Sequence, residues 1–265
     1  MKNRRVYNKL VRDNIPLFEF DSDREAVLSP GHEHLNLQLP KKAVFPFLGE
    51  SVYRFAERCG AVIAGKYESV SKDFPVYVTK YRGEEICICE APVGAAQATA
   101  ILDWLISYGV REIISAGSCG VLCDIPEGTF LLPVKALRDE GTSYHYAPPS
   151  RYIDLDCRGI EAVRRSFLEH RINYREVTTW TTDGLYRETA AKVQSRRDEG
   201  CSTVEMECAA LAACAAFRGA SFGMILFSAD SLADTGAYDE RSWGELSRDY
   251  AMMLALDAVI KYKGE

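Results

Sequence analysis

Short β-branched or apolar runs alternate with segments of helical period along almost the whole chain, and that alternation constrains the fold most tightly. Runs at 43–47, 74–81, 85–90, 112–116, 129–134, 174–181 and 222–228 read as strands. Several, such as Ile86-Cys87-Ile88-Cys89, are apolar at successive positions, the mark of strands covered on both faces. Helical periods fall at 50–58, 95–108, 159–170, 189–197, 206–217 and 242–262. This order predicts an α/β fold: a single domain with a central mixed, mostly parallel β-sheet flanked by helices in three layers. Residues 1–33 are polar, charged and broken by Ser29-Pro30-Gly31, so they read as an arm appended to a domain spanning 34–265.

With 265 residues, 47% of them apolar, the chain has material for one large core. A net charge of −6 argues against a broad nucleic-acid footprint and leaves a small molecule as the expected partner. No apolar run approaches the roughly 18 residues of a membrane helix, and Met1-Lys2-Asn3-Arg4-Arg5 leads into no signal segment, so a cytoplasmic protein is expected. Nine cysteines, mostly inside apolar runs, fit a reducing compartment, where free thiols behave as small hydrophobes. No cysteine or histidine spacing suits zinc, and no metal is expected.

In open sheets of this kind ligands gather beyond the carboxyl ends of the strands, so chemistry is sought in the segments that follow them. Gly117-Ser118-Cys119-Gly120 follows one strand; its backbone N–H groups and the Ser118 hydroxyl suit an anion, though a plain tight turn uses the same residues. Pro92-Val93-Gly94-Ala95-Ala96 opens a helix, serving either a ligand or close helix–sheet packing. Gly200 to Cys208 carries Glu205 and Glu207 at the mouth of an alanine-rich helix. Glu205 fits a capping box with Ser202, whereas Glu207 has no such structural task and suits sugar hydroxyls as donors. Asp230 ends the apolar run 222–228, where burial would raise its pKa and suit it to protonate a leaving group; capping the next turn is the alternative.

Together these segments resemble the nucleoside phosphorylase superfamily of purine nucleoside phosphorylases, uridine phosphorylases and methylthioadenosine nucleosidases. The motifs are Val204-Glu205-Met206-Glu207-Cys208, Ile114-Ser115-Ala116-Gly117-Ser118-Cys119-Gly120, Thr182-Asp183-Gly184-Leu185-Tyr186 and the Asp230 segment. The stretch 134–146 looks most like the uridine phosphorylases. The resemblance runs from about His34 to Tyr262 and makes 34–265 the catalytic domain. It implies that Glu207 binds the ribose hydroxyls with Met206 under the sugar and Glu205 nearby. Ser118 would meet phosphate, Cys119, Gly120, Leu185 and Tyr186 the base, and Asp230 would protonate the departing purine. His34 and Lys72 would be supplied across a subunit boundary to the sugar and the phosphate, making the enzyme a homo-oligomer, a dimer or trimer of dimers.

The chain also departs from that pattern. The phosphate loop of the family is replaced by Phe47-Leu48-Gly49-Glu50-Ser51, and a second phosphate arginine by Ser115. Lys72, eleven positions before Gly83, is the remaining cation, and a lysine does not reproduce bidentate guanidinium contacts. The expected reaction is phosphorolysis of a purine nucleoside, or of uridine, with inorganic phosphate as co-substrate and no cofactor. Hydrolysis by water and a nucleoside-binding protein that has lost turnover are the alternatives. A separate short resemblance, Tyr7 to Pro16, is to the opening of phosphoribosyl-ATP pyrophosphohydrolase-like helical proteins, without their metal-binding helices.

Overall fold

The computed structural model describes residues 10–262. In chain order the strands are β1 (Leu10–Val11), β2 (Phe20–Asp21), β3 (Lys42–Val44), β4 (Val62–Glu68), β5 (Asp73–Tyr81), β6 (Glu84–Cys89), β7 (Glu112–Val121), β8 (Phe130–Asp139), β9 (Tyr152–Asp154), β10 (Tyr174–Thr182), β11 (Cys201–Glu205) and β12 (Ser221–Ser231). The helices are α1 (Glu50–Arg58), α2 (Ala95–Ser107), α3 (Cys157–Glu169), α4 (Ala190–Asp198), α5 (Cys208–Arg218) and α6 (Arg248–Val259).

The main sheet runs β11-β10-β8-β12-β7-β3-β6-β5-β4, with β9 added to β8. It is mixed. Parallel pairs occupy the middle (β12–β7, β3–β7, β3–β6) and the β8–β10–β11 flank, while β4–β5–β6 is an antiparallel meander at one edge. The sheet is not simply open: β7 bends so that Gly120 and Val121 pair antiparallel with Val204 and Thr203 of β11, closing five strands into a ring. The ring draws the carboxyl ends of β7, β11 and β12 together.

Alternation along each central strand sorts its side chains between two cores. Ala43, Cys87 and Ile113 point to the face covered by α2 and α5, whereas Val44, Ile86, Ile88 and Ile114 point to the face covered by α1, α3 and α6. Three layers follow. Each fully buried Leu, Ile or Phe stabilises the fold by about 1.5–3 kcal/mol, so these two faces carry most of the driving force. The alanines of α5 let that helix lie close to α2 and β12. Caps fix the ends: Asp156 accepts from Gly159 N at the start of α3, Thr189 from Lys192 N at the start of α4, and Gly219 ends α5 in the left-handed region.

Several boundaries differ from the sequence expectation. The 112–116 run continues to Val121, so Gly117-Ser118-Cys119-Gly120 is neither a turn nor an anion nest. Those residues are strand, Gly117 to Cys119 paired with Leu226 to Ser228 of β12 and Gly120 with Val204 of β11. Glu205 and Asp230 likewise sit within β11 and β12. The last helix starts at Arg248, not at 242, because Arg241, Trp243 and Gly244 hold positive φ. Strands β1, β2, β4, β9 and β11 lie outside the sequence expectation; β4 is an edge strand whose short apolar start, Val62-Ile63-Ala64, is exposed.

Of the arm, residues 1–9 lie outside the described residues, including Tyr7, Asn8 and Lys9 of the short second resemblance. Its remainder, from Leu10 to Pro16, supplies a strand and the start of a 3₁₀ turn rather than a long helix. The arm touches the domain: Phe18 packs tilted against Tyr144, ring centroids 5.2 Å apart, and Trp104 Nε1 and Tyr108 OH donate to Glu33 at 2.9 and 3.3 Å.

Gly159 and Gly223 mark where α3 touches β12. A Cβ on Gly159 would meet the Phe222 carbonyl oxygen at 2.2 Å, and one on Gly223 the Gly159 carbonyl oxygen at 2.7 Å. We expect Gly159→Ala to destabilise the fold by about 2–4 kcal/mol, more than usual overpacking because the obstacle is backbone. Urea denaturation checks this; a loss below about 1 kcal/mol would contradict so close a contact.

Candidate functional site

Where the ring closes, a cavity of about 230 Å³ opens at the carboxyl ends of β7, β11 and β12. Its inner wall is Gly117 to Gly120. At one end Gly117 leaves room for Phe47, whose Cβ would lie 3.2 Å from an added Cβ. At the other, Gly120 leaves room for Asp230, Leu232 and Val204; a Cβ there would meet Leu232 at 2.9 Å and the Asp230 carboxyl at 3.3 Å. Three residue-to-residue steps of strand, from Gly117 to Gly120, separate these ends by about 10 Å. That is the scale of a nucleoside.

Glu205 is the fixed point of the site. Its carboxylate accepts from Thr181 Oγ1 (2.6 Å), Thr179 Oγ1 (3.3 Å), Glu207 N (2.7 Å) and Cys208 N (2.6 Å). It is wholly buried, and burial pushes its pKa up while these bonds pull it down. Glu205 does cap α5, but not through a capping box with Ser202, because both residues lie in β11 and the helix begins at Cys208.

Glu207 occupies the N-cap position of α5 without capping it, and its side chain crosses to accept from Gly94 N at the mouth of α2. Burial first, then the neighbouring Glu205 charge, push its pKa up to about 8. A carboxyl with that pKa is largely protonated at neutral pH, and hydroxyl donors would favour its charged form. At the other end Asp230 is raised from the usual carboxylate range chiefly by burial, and Tyr238 OH donates to it at 3.2 Å. Glu188 lies nearby and is pushed up to about 7 by burial and by Asp230.

Of the residues singled out from sequence, Ser118, Cys119, Gly120, Leu185, Glu205, Met206, Glu207 and Asp230 line this one cavity. Tyr186 does not; it is 93% exposed beside Leu185. His34 also lies outside the cavity, exposed and at positive φ. Lys72 stands apart too, paired with Glu90 at 2.6 Å beneath the Tyr53 and Phe74 rings. The other cations near the phosphate-loop and uridine-phosphorylase-like stretches are engaged: Arg54 pairs with Asp249, and Arg138 is held by Ser143, Ser150 and the Pro148 carbonyl. Ser115 is buried, donating to the Phe45 carbonyl at 2.6 Å. Phe47 and Val93, from the two segments named at the phosphate-loop position and at the start of α2, also line the cavity, as do Glu188 and Trp243, which the sequence does not single out. Glu188 sits in a charged stretch that reads as surface, and Trp243 in one that reads as helix.

No lysine or arginine lines the cavity among the described residues. One group elsewhere has metal-like geometry: Glu169, His170 and Asp257 place ligand atoms within 4.8 Å of one another. Arg82 and Lys261 engage Glu169, while Tyr81 OH donates to Asp257, which makes this an ion-pair network.

The sequence model of the phosphorylase superfamily matches residues 41–257. The chain belongs to the phosphorylase superfamily. This superfamily member is 23% identical over 184 residues to a guanosine phosphorylase of Halorubrum lacusprofundi, spanning 69% of this chain and 75% of that one. Its fold is shared with a uridine phosphorylase from Vibrio fischeri (TM-score 0.74, 21% identity, 89% of this chain and 99% of that one). It is shared also with an AMP nucleosidase from Bacteroides thetaiotaomicron (TM-score 0.68, 23% identity, 84% and 88%). At these identities the structural likeness establishes the fold alone.

The raised carboxyls set a pH dependence. Unfolded Glu207 releases its proton near 4.5, folded Glu207 only near 8, so its contribution is intact below the first value and is lost as pH rises through the second. Glu188 acts with the same sign up to about 7. Groups held low, such as Glu199 at about 2, act only below this window. The melting temperature of ligand-free protein should therefore fall from about pH 5 to pH 8, and Glu207→Gln should flatten that fall. An unchanged slope in the variant would show that Glu207 is not protonated in the folded state.

Proposed function

We propose that this protein breaks the N-glycosidic bond of a purine nucleoside, with phosphate as the attacking group, releasing the free base and a pentose 1-phosphate. One observation carries the reading: Glu207, Ser118 and Asp230 line one cavity, Glu207 held against Gly94 at the mouth of α2 and Asp230 against Gly120 of β7. Glu207 accepts hydrogen bonds from the vicinal pentose hydroxyls, with Met206 beside the sugar. Asp230, its proton retained by burial, gives that proton to a ring nitrogen as the C1′–N bond lengthens and positive charge grows on the sugar. Ser118 orients the nucleophile at C1′. Cys119, Gly120 and Leu185 border the base. Lys72 and His34 are brought by a second copy of the chain, and Lys72 supplies the positive charge that the cavity lacks. The superfamily assignment and the guanosine phosphorylase relative favour phosphorolysis.

A specific observation favours water instead. Phe47 and Val93 present apolar surface to the cavity, and among the described residues no lysine or arginine lines it to neutralise a phosphate dianion. Assaying guanosine, inosine, adenosine and uridine with and without phosphate separates the two. Base release that requires phosphate supports phosphorolysis; equal release without it assigns the nucleophile to water. In either case Asp230→Asn should lower kcat by about 10²- to 10⁴-fold, the usual worth of a general acid, with the circular dichroism spectrum retained. Unchanged turnover would remove Asp230 from the reaction.

A further inference from the structure

A second cavity, larger than the first, has no part in the reaction above. Helices α1 and α6 face each other across it, and it holds about 540 Å³ without sharing a lining residue with the cavity at Glu207. From α1 it is lined by Ser51, Arg54, Phe55 and Arg58, and from α6 by Asp249, Met252, Met253 and Leu256, in each case the i, i+3, i+4, i+7 stripe of the helix. Two such stripes ordinarily close on one another, the side chains of one helix filling the grooves of the next. These leave a space within the range of small-molecule sites, about 300–1,000 Å³.

The floor of the groove is apolar. Met252 and Leu256 are buried, the Phe55 and Tyr81 rings meet edge to face with centroids 6.4 Å apart, and the Tyr81 hydroxyl is occupied by Asp257 at 2.7 Å. Leu246, in the short turn before α6, adds apolar surface at the mouth and is 97% exposed. The charged rim is not balanced. Arg54 donates to Asp249 at 2.8 Å and to Ser51 Oγ at 3.0 Å, which neutralises that pair and joins the two helices. Arg58, one turn further along the same face of α1, makes no hydrogen bond and no ion pair among the described residues. One guanidinium is left over beside an apolar trough.

We propose that the groove between α1 and α6 binds an amphiphilic carboxylate, its apolar body against Phe55, Met252, Met253 and Leu256 and its acid group on Arg58. A polar body laid on that floor would lose its hydration without gaining hydrogen bonds, whereas an apolar one gains from leaving water. The head group follows from Arg58: a guanidinium presents parallel N–H donors that match the two oxygens of a carboxylate, and a neutral or cationic head would leave the charge unanswered. Methionine side chains adapt to irregular shapes, so chain length is less restricted than charge.

Octanoate and 1-octanol, which share an apolar body and differ in charge, are the probes. Calorimetry at pH 7 should show one saturable octanoate site per chain and weaker binding of octanol. Arg58→Ala should weaken octanoate about tenfold, near the lower end of what hydrogen bonds to a charged group contribute because Arg58 is exposed, and change octanol by less than about twofold. Leu246→Glu, which sets a like charge at the mouth, should also weaken octanoate more than octanol. Both positions are exposed, and retained circular dichroism spectra would confirm that the variants fold. Equal losses for the two probes, octanoate binding undiminished in Arg58→Ala, or no saturable site in the native protein would overturn the proposal. A dimer in light scattering that Leu246→Glu dissociates would give the groove to a second copy of the chain and reject it as well.

Discussion

The buried carboxylate of Glu205 is the interaction on which the site depends. Its four donors come from two hydroxyls of β10 and two backbone N–H groups at the start of α5, so one side chain of β11 fastens three elements together. Thr181 completes the joint by accepting from Ala209 N at 3.1 Å. Removing the carboxylate would leave buried donors unsatisfied on all sides, each costing about 1–3 kcal/mol. What the joint fixes is the position of Glu207, two residues later, against Gly94.

From that joint follows an electrostatic character unusual for a binding cavity. Glu188, Glu205, Glu207 and Asp230 all line it, each with its pKa raised, and burial is the first cause in every case. Only Glu205 has its full complement of protein donors. The other three are stabilised by retaining protons and are prepared to exchange them for donors on a ligand. A cavity of this kind favours a neutral, hydroxyl- and N–H-rich molecule, which is how a nucleoside differs from a nucleotide. Strain is spent nearby as well, in the positive φ angles of Arg241 and Trp243 that bring the indole to the cavity rim.

Much of this was legible in the sequence. The β-branched runs and helical periods marked the layers because period and burial are local properties, and the Glu205-Met206-Glu207 and Asp230 segments were found because carboxyls in apolar surroundings are conspicuous. What escaped has a common cause in tertiary structure. Gly117 to Gly120 reads as a turn from its small residues, yet the ring closure onto β11 makes it strand. Short β9 and β11 owe their existence to partners distant in sequence. Glu188 looks like any surface glutamate until the fold brings it beside Asp230. His34 and Lys72 lie away from the cavity of their own chain, and no pattern within one chain says what stands opposite them.

The central claim is that a nucleoside lies along β7 with its sugar at Glu207 and its base at Asp230. A crystal structure with a C-nucleoside, whose carbon–carbon glycosidic bond cannot be cleaved, tests it most directly. The expected result places the pentose hydroxyls within about 3 Å of the Glu207 carboxylate and a ring nitrogen at a similar distance from Asp230. A ligand bound elsewhere, or seated with its base against Glu207 and its sugar toward Asp230, would contradict it.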